Sequence, residues 1–208
     1  MAGSGVSTTA SGDRRVRRTR SALAHALIEL AEERELTRIS VSDVAEGAGV
    51  SRSAFYHHYR DVHELAEDAC TAMIDDLIDS VPGPALDSAE LVREAIGSLT
   101  AFFDSLLGHA GLYRALLGPH GSARVTGHLR RRIAAVVHDR LVRADAGRWP
   151  ERVPHDVMAA FTAGALVGVA VEWLEDARLR PPAEMAEMTW PLLNAHYRVN
   201  ESGHRVQP

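Results

Sequence analysis

The 208-residue chain has 23 cationic residues, all of them arginine, against 28 carboxylates, a formal net charge of −5, with 46% apolar and 25% charged residues. That composition suits a soluble globular protein long enough to bury a substantial core, as one large or two small domains. The lack of lysine excludes a GxxxxGK phosphate loop, a Schiff-base lysine and an SxxK nucleophile; no GxSxG elbow is present, and the single cysteine, Cys70, excludes an intrachain disulfide or a cysteine-based zinc site.

The negative charge is unevenly spread. Residues 1 to 60 hold nine arginines and seven carboxylates, so the positive excess is local and the remainder of the chain is acidic, the footprint expected of a DNA-binding end. Residues 1 to 13 are small and polar and are expected to be disordered. Arg14, Arg15, Arg17, Arg18 and Arg20 follow as a basic arm leading into a first helix over Ser21 to Arg34, where Leu23, Leu27, Leu30 and Ala31 form an apolar stripe. Cations at a helix N-terminus oppose the macrodipole, so the arm needs another reason to be there. Contact with DNA phosphates is one reading, and a solvated helix start is the other.

Ser40 to Tyr59 is the stretch that carries chemistry. Ser40-x-x-Asp43 is a capping box, and Ile39 with Val44 makes a hydrophobic staple, so a short helix should start at Val41. Gly47 and Gly49 supply permissive backbone for a tight turn. Ser51 then caps a second helix running to Tyr59, stapled by Val50 against Phe55. Val50, Phe55 and Tyr59 fall on its inner side, whereas Arg52, Ser53, Tyr56, His57 and Arg60 share the outer one, without a carboxylate. Such a face can meet base edges and phosphates in the major groove, with Ser40, Ser42 and Ser51 completing the surface. The alternative is an ordinary helical hairpin with a polar outer face.

From about Arg17 to Leu65 the chain resembles the DNA-binding domain of TetR-family transcriptional regulators. The resemblance rests on Val41, Val44-Ala45, Ala48-Gly49-Val50-Ser51, the Phe55-Tyr56-His57-His58-Tyr59 run, and Leu65 after Asp61. It implies an all-helical homodimer that binds double-stranded operator DNA and is released by a small ligand. In such proteins an arm like residues 14 to 20 lies along phosphates or enters the minor groove, which assigns Arg17 and Arg18 to DNA. The chain departs from the family at Glu35, Arg60 and Val62, where Gly, Pro and Lys are frequent. The phosphate contact of that lysine is therefore not carried over to Val62.

Asp61-x-x-Glu64 opens a long helix to about Ser80, with Leu65, Ala69, Met73, Leu77 and Ile78 inward and Asp68, Asp75, Asp76 and Asp79 leaving the other side acidic. The domain boundary is expected within this helix: a helix-turn-helix domain over residues 14–62, a helical effector-binding and dimerisation domain over 63–198, and a frayed tail over 199–208. Val81-Pro82-Gly83-Pro84 stops the helix, and Leu86 and Leu91 staple the next around Asp87-x-x-Glu90. That helix is apolar most of the way round and should be buried. A short helix follows over Leu112 to Leu117. The next runs from Ser122 to about Asp145; its Arg130, Arg131 and Arg132 form a solvated face in preference to a second DNA site. Val153 to Asp176, with Gly164, Ala165, Gly168 and Ala170, allows close approach of another helix. A last helix from Ala183 is kinked at Pro191. The final two helices are expected to form a four-helix dimer interface.

A mostly apolar effector pocket would draw on Phe102, Phe103, Leu106, Tyr113, Leu117, His128 and Trp173, which equally can fill the core. Eleven histidines without a His-x-x-x-His pair propose no metal site, and no cofactor is expected. An enzyme is not expected, since no spacing sets a nucleophile beside an oriented base. The longest uncharged apolar run, Met158 to Val171, is fourteen residues, too short to span a bilayer, and no export signal is visible, so a cytoplasmic protein is expected. Two functions remain: a regulator released by a small, largely apolar ligand, or a ligand-independent architectural DNA-binding protein.

Overall fold

The computed structural model describes residues 7–81, 90–144 and 153–198. Among them the chain is all-helical: α1 (Ser7–Glu33), α2 (Val41–Gly47), α3 (Arg52–Tyr56), α4 (Val62–Ser80), α5 (Leu91–Gly108), α6 (Ala110–Leu117), α7 (Ala123–Ala144), α8 (His155–Glu175) and α9 (Pro182–Arg198). It divides into two compact units, Met1–Cys70 and Thr71–Pro208, and the division falls inside α4. The Leu86 staple, the Pro82-Gly83-Pro84 stop and the tail over 199–208 lie outside the described residues.

In the N-terminal unit α1 begins at Ser7, so the segment read as a disordered tail is helical from there on and the arginines read as an arm leading into the helix are part of it. Leu23, Ala26 and Leu27 are buried on its inner side. Ser40 caps α2 by accepting from the Asp43 backbone N–H (3.2 Å), and the Asp43 carboxylate accepts from the Ser40 N–H at 2.8 Å, so both halves of the capping box form. Of the two glycines, only Gly49 has a left-handed backbone, φ 64°. Gly47 lies in α2, where an added Cβ would stand 3.2 Å from that of Ala26, so its smallness serves the packing of α2 on α1.

In the C-terminal unit α7 packs on α8, α5 on α9, and α6 bridges α7 and α8. Phe102, Phe103, Leu106, Tyr113, Leu116, Leu129, Trp173 and Leu174 form the buried middle. One expectation fails here: Val92 and Leu107 are exposed, so α5 is buried along one side only. The acidic side of α4 forms, with Asp76 and Asp79 exposed. Part of that side is paired: Asp79 accepts from Arg132 at 2.6 Å, Asp75 forms an ion pair with Arg132 Nε at 2.7 Å, and Asp75 also meets His128 Nε2 at 2.9 Å, tying α4 to α7. Arg132 is thereby removed from the solvated arginine face, because two carboxylates lie within its reach. The α8 helix is long and apolar enough by composition to cross a membrane, longer than the fourteen-residue run suggests, and half of its apolar window is buried inside the protein.

Candidate nucleic-acid interface

The turn after α2 and the five residues of α3 build the candidate surface. Ser51 caps α3 by accepting from the Ala54 N–H at 3.1 Å, and Phe55, one turn on, is fully buried against the rings of Tyr56 and Tyr59. This anchors the helix by one side and leaves Arg52, Ser53, Tyr56 and His57 exposed on the other. The helix ends at Tyr56, earlier than the Tyr59 of the sequence reading. The backbone N–H groups of His57 and His58 donate to the carbonyls of Ser53 and Phe55, and the turn brings the Tyr59 ring back to the core.

Several candidate side chains are held before any ligand arrives. The Arg52 guanidinium donates through Nε (3.2 Å) and through a terminal nitrogen (2.5 Å) to Ser42 Oγ, joining α3 to α2 and leaving its other N–H groups to a ligand. Ser42 thus acts through Arg52. Ser51 and Ser53 share a hydroxyl hydrogen bond of 2.9 Å, and His57 Nδ1 lies 2.5 Å from the Ser53 carbonyl. Arg60 donates to Glu64 from both its backbone N–H (2.7 Å) and its guanidinium (3.1 Å), which draws the Glu64 carboxyl below the usual carboxylate range. Asp43 is likewise lowered, first by its bonds to Ser40 and then by Arg34 nearby. Ser40 spends its hydroxyl on the cap, and Arg17 and Arg18 lie on the exposed part of α1.

A buried-edge cluster escaped the sequence reading. Arg20 donates to Asp68 at 2.8 Å and to the Tyr59 hydroxyl at 3.1 Å, and that hydroxyl donates to Asp68 at 2.7 Å. Burial, reinforced by the hydrogen bond to Asp68, pushes the Tyr59 phenol up to about 12. The cluster ties α1 and the end of the α3 turn to α4. The sequence carries only half of the signal: a tyrosine whose ring is core needs a partner for its hydroxyl, but nothing along the chain names Arg20 and Asp68. Arg20, grouped with the arm, is a structural cation.

Two family models match the chain in succession. One, described as bacterial regulatory proteins of the tetR family, matches residues 23–69, and the other, a transcriptional regulator C-terminal region of the same family, matches 94–195. The chain belongs to the TetR family of transcriptional regulators. It is therefore a DNA-binding transcriptional regulator and not an enzyme. TetR-family members are built as here, with an N-terminal helix-turn-helix unit and a C-terminal helical unit.

Solved structures share the fold. A tetR-family regulator from Streptomyces coelicolor superposes with a TM-score of 0.70 at 23% identity, covering 89% of this chain and 83% of that one. The Thermus thermophilus FadR repressor, solved in complex with lauroyl-CoA, superposes with a TM-score of 0.64 at 19% identity, covering 91% and 96%. Among curated proteins, the HTH-type regulator YxbF of Bacillus subtilis is 30% identical over 95 residues, which are 45% of this chain; the match spans a quarter of that relative's length.

The sequence candidates in the C-terminal unit are only partly brought together. Phe102 and Phe103 meet edge to face at 5.3 Å, and Phe103 and Trp173 at 5.2 Å, all three buried. The Trp173 indole N–H donates to the Arg180 carbonyl at 3.0 Å. Leu106, Tyr113 and Leu117 are buried too, whereas His128 is committed to Asp75. Among the described residues no group of three His, Cys, Asp or Glu side chains is arranged to hold a metal ion.

Proposed function

We propose that the protein is a homodimeric cytoplasmic repressor that sets two copies of α3 into successive major grooves and is released from its operator by a small, largely apolar ligand. The observation that carries the DNA half is the outer face of α3: Arg52, pre-aimed by Ser42, stands beside Tyr56 and His57 with no carboxylate on the helix. A pre-oriented guanidinium loses little rotamer freedom on meeting guanine O6 and N7. Arg17, Arg18 and Arg60 would add phosphate contacts, with Arg60 giving up Glu64 to do so.

Pairing of two copies is supported by the far end of the chain. On α8 Val157 and Phe161 are 53% and 58% exposed, and on α9 Met188 and Leu192 are 43% and 70% exposed, each pair one turn apart. Gly164 and Gly168 continue the α8 line with no atom within 4 Å of an added Cβ, room for a helix to approach closely. A second copy laying the same surface against this one, as a four-helix interface, would cover these apolar groups; a pair reading successive major grooves needs its two α3 helices about 34–36 Å apart.

The ligand half draws on the apolar wall of Phe102, Phe103, Leu106, Tyr113, Leu117 and Trp173. The FadR repressor crystallised with lauroyl-CoA supports a ligand with an acyl chain. Since α4 belongs to both units, a ligand with higher affinity for an arrangement in which α4 has shifted would lower operator affinity by the same coupling free energy. His128, paired with Asp75 on α4, would respond to the ligand by changing that pair rather than by direct contact.

Selecting bound duplexes from a random pool, then adding lauroyl-CoA and following both release and melting temperature, tests the whole reading. An inverted repeat should be enriched, and a ligand that binds the native state should raise the melting temperature while freeing the DNA. Selective binding that no acyl ligand or other apolar metabolite relieves would favour the architectural alternative.

A further inference from the structure

We infer that His57 is a specificity-determining residue that reads an exocyclic amino group, N4 of cytosine or N6 of adenine, by accepting a hydrogen bond in the major groove. The inference rests on the reading of α3 as the groove-facing helix and adds to it the hydrogen-bonding polarity of one contact.

His57 follows α3 directly and is exposed. Its Nδ1 lies 2.5 Å from the Ser53 carbonyl oxygen, which also accepts the His57 backbone N–H at 3.2 Å. A carbonyl oxygen only accepts, so Nδ1 must carry a hydrogen. In a neutral imidazole that leaves Nε2 as a bare lone pair. The bond spans a single helical turn, so it fixes the ring orientation together with the tautomer. Arg52 and Tyr56 lie on the same outward side, and Arg52 can only donate.

A lone pair on Nε2 of an exposed ring has few partners on DNA. Phosphate oxygens accept only, so a neutral Nε2 gains nothing from the backbone. Guanine N7 and O6 and thymine O4 are acceptors as well, whereas the amino groups of cytosine and adenine are the donors of the major groove. The surface therefore pairs a donor at Arg52, suited to a keto base, with an acceptor at His57, suited to an amino base.

The test uses the full-length protein and half-sites selected from random duplexes. Every single-base change is competed against wild type, His57→Ala, His57→Arg and Arg52→Ala. One strand position should prefer adenine or cytosine over guanine or thymine by about fivefold, the yield of one added hydrogen bond. That preference should vanish in His57→Ala, turn towards guanine in His57→Arg, and survive in Arg52→Ala, whose own loss falls elsewhere in the site. Replacing the selected adenine by purine, or the cytosine by 2-pyrimidinone, deletes only the amino group; it should weaken wild type by the same factor and leave His57→Ala unaffected.

A His57→Ala loss equal for all sequences, or a His57-dependent preference for guanine or thymine, overturns the inference. Arg52-dependent selection with no His57-dependent position sinks this inference alone. A wild-type pool with no enriched sequence removes the reading of α3 as well.

Discussion

The two units differ in how far along the chain their polar side chains look for partners. In the N-terminal unit Ser40 finds Asp43 three residues away, Ser51 finds Ala54, His57 finds Ser53 and Arg60 finds Glu64, each within about one helical turn. In the C-terminal unit His128 pairs with Asp75 and Arg132 with Asp79 at separations of 53 residues, and Arg114 donates to the Leu174 carbonyl 60 residues on. A surface held by local bonds keeps its shape whatever distant helices do, which suits reading a rigid duplex. Helices held by long-range polar pairs can be repositioned by a change at one partner, which suits response to a ligand. The N-terminal unit has inter-helix bonds too: Arg52 with Ser42 joins α3 to α2, and the Arg20–Tyr59–Asp68 cluster, of longest reach, fastens the reading surface to α4.

The comparison breaks most visibly at Phe55. Phe55→Ala should cost about 3–5 kcal/mol, the usual loss for truncating a fully buried phenylalanine, read by chemical denaturation under circular dichroism. A loss below about 1 kcal/mol would mean that local bonds alone hold α3. Next in size, Arg52→Ala should weaken operator binding by about 1–3 kcal/mol, measured by fluorescence anisotropy. Ser42→Ala should cost less, about 0.5–1.5 kcal/mol, because it only frees Arg52. Equal losses would assign Ser42 a direct DNA contact.

Smaller effects sharpen the contrast between local and distant partners. Ser51→Ala, which removes the α3 cap, should destabilise the fold by about 1 kcal/mol. Asp75→Asn, in a part-exposed ion-pair network, should cost less than that in denaturation experiments. The reverse order would show that the long-range pairs carry stability as well as position.

The least perturbing probe is pH. The Tyr59 phenol is raised from 10.0 to about 12, so the neutral form is favoured in the folded state. Its contribution is fully present below about pH 10, the ordinary tyrosine value, and is lost as pH climbs towards 12. Ultraviolet titration should show a phenol ionising late, and Tyr59→Phe should remove it. Burial likewise pushes the Cys70 thiol up to about 12, so thiol reagents at about pH 8 should leave it untouched until the protein unfolds.

Much of the DNA-binding end was legible in the chain because its signals are short-range. The capping box at Ser40, the Ser51 cap, the Asp61 start of α4 and the positive φ at Gly49 are each encoded within a few residues of where they act. The end of α3 was misjudged because helical spacing continues to Tyr59 while the backbone does not, and periodicity carries no stop signal there. The roles of Gly47, Arg20, Ser42 and Asp75 were not legible, since each depends on an atom brought near by another helix. Ala26 stands over Gly47, Asp68 beside Arg20, Arg52 above Ser42 and Arg132 beside Asp75.

By itself the sequence determined an all-helical chain, a helix-turn-helix at its basic end and the exposed residues of α3, because caps, turns and apolar spacing act within a turn or two of backbone. Only the tertiary structure decided which arginines remain outward and which are spent on carboxylates. Hydrogen bonds form at about 3 Å, and no pattern along the chain states which groups folding will bring within that distance.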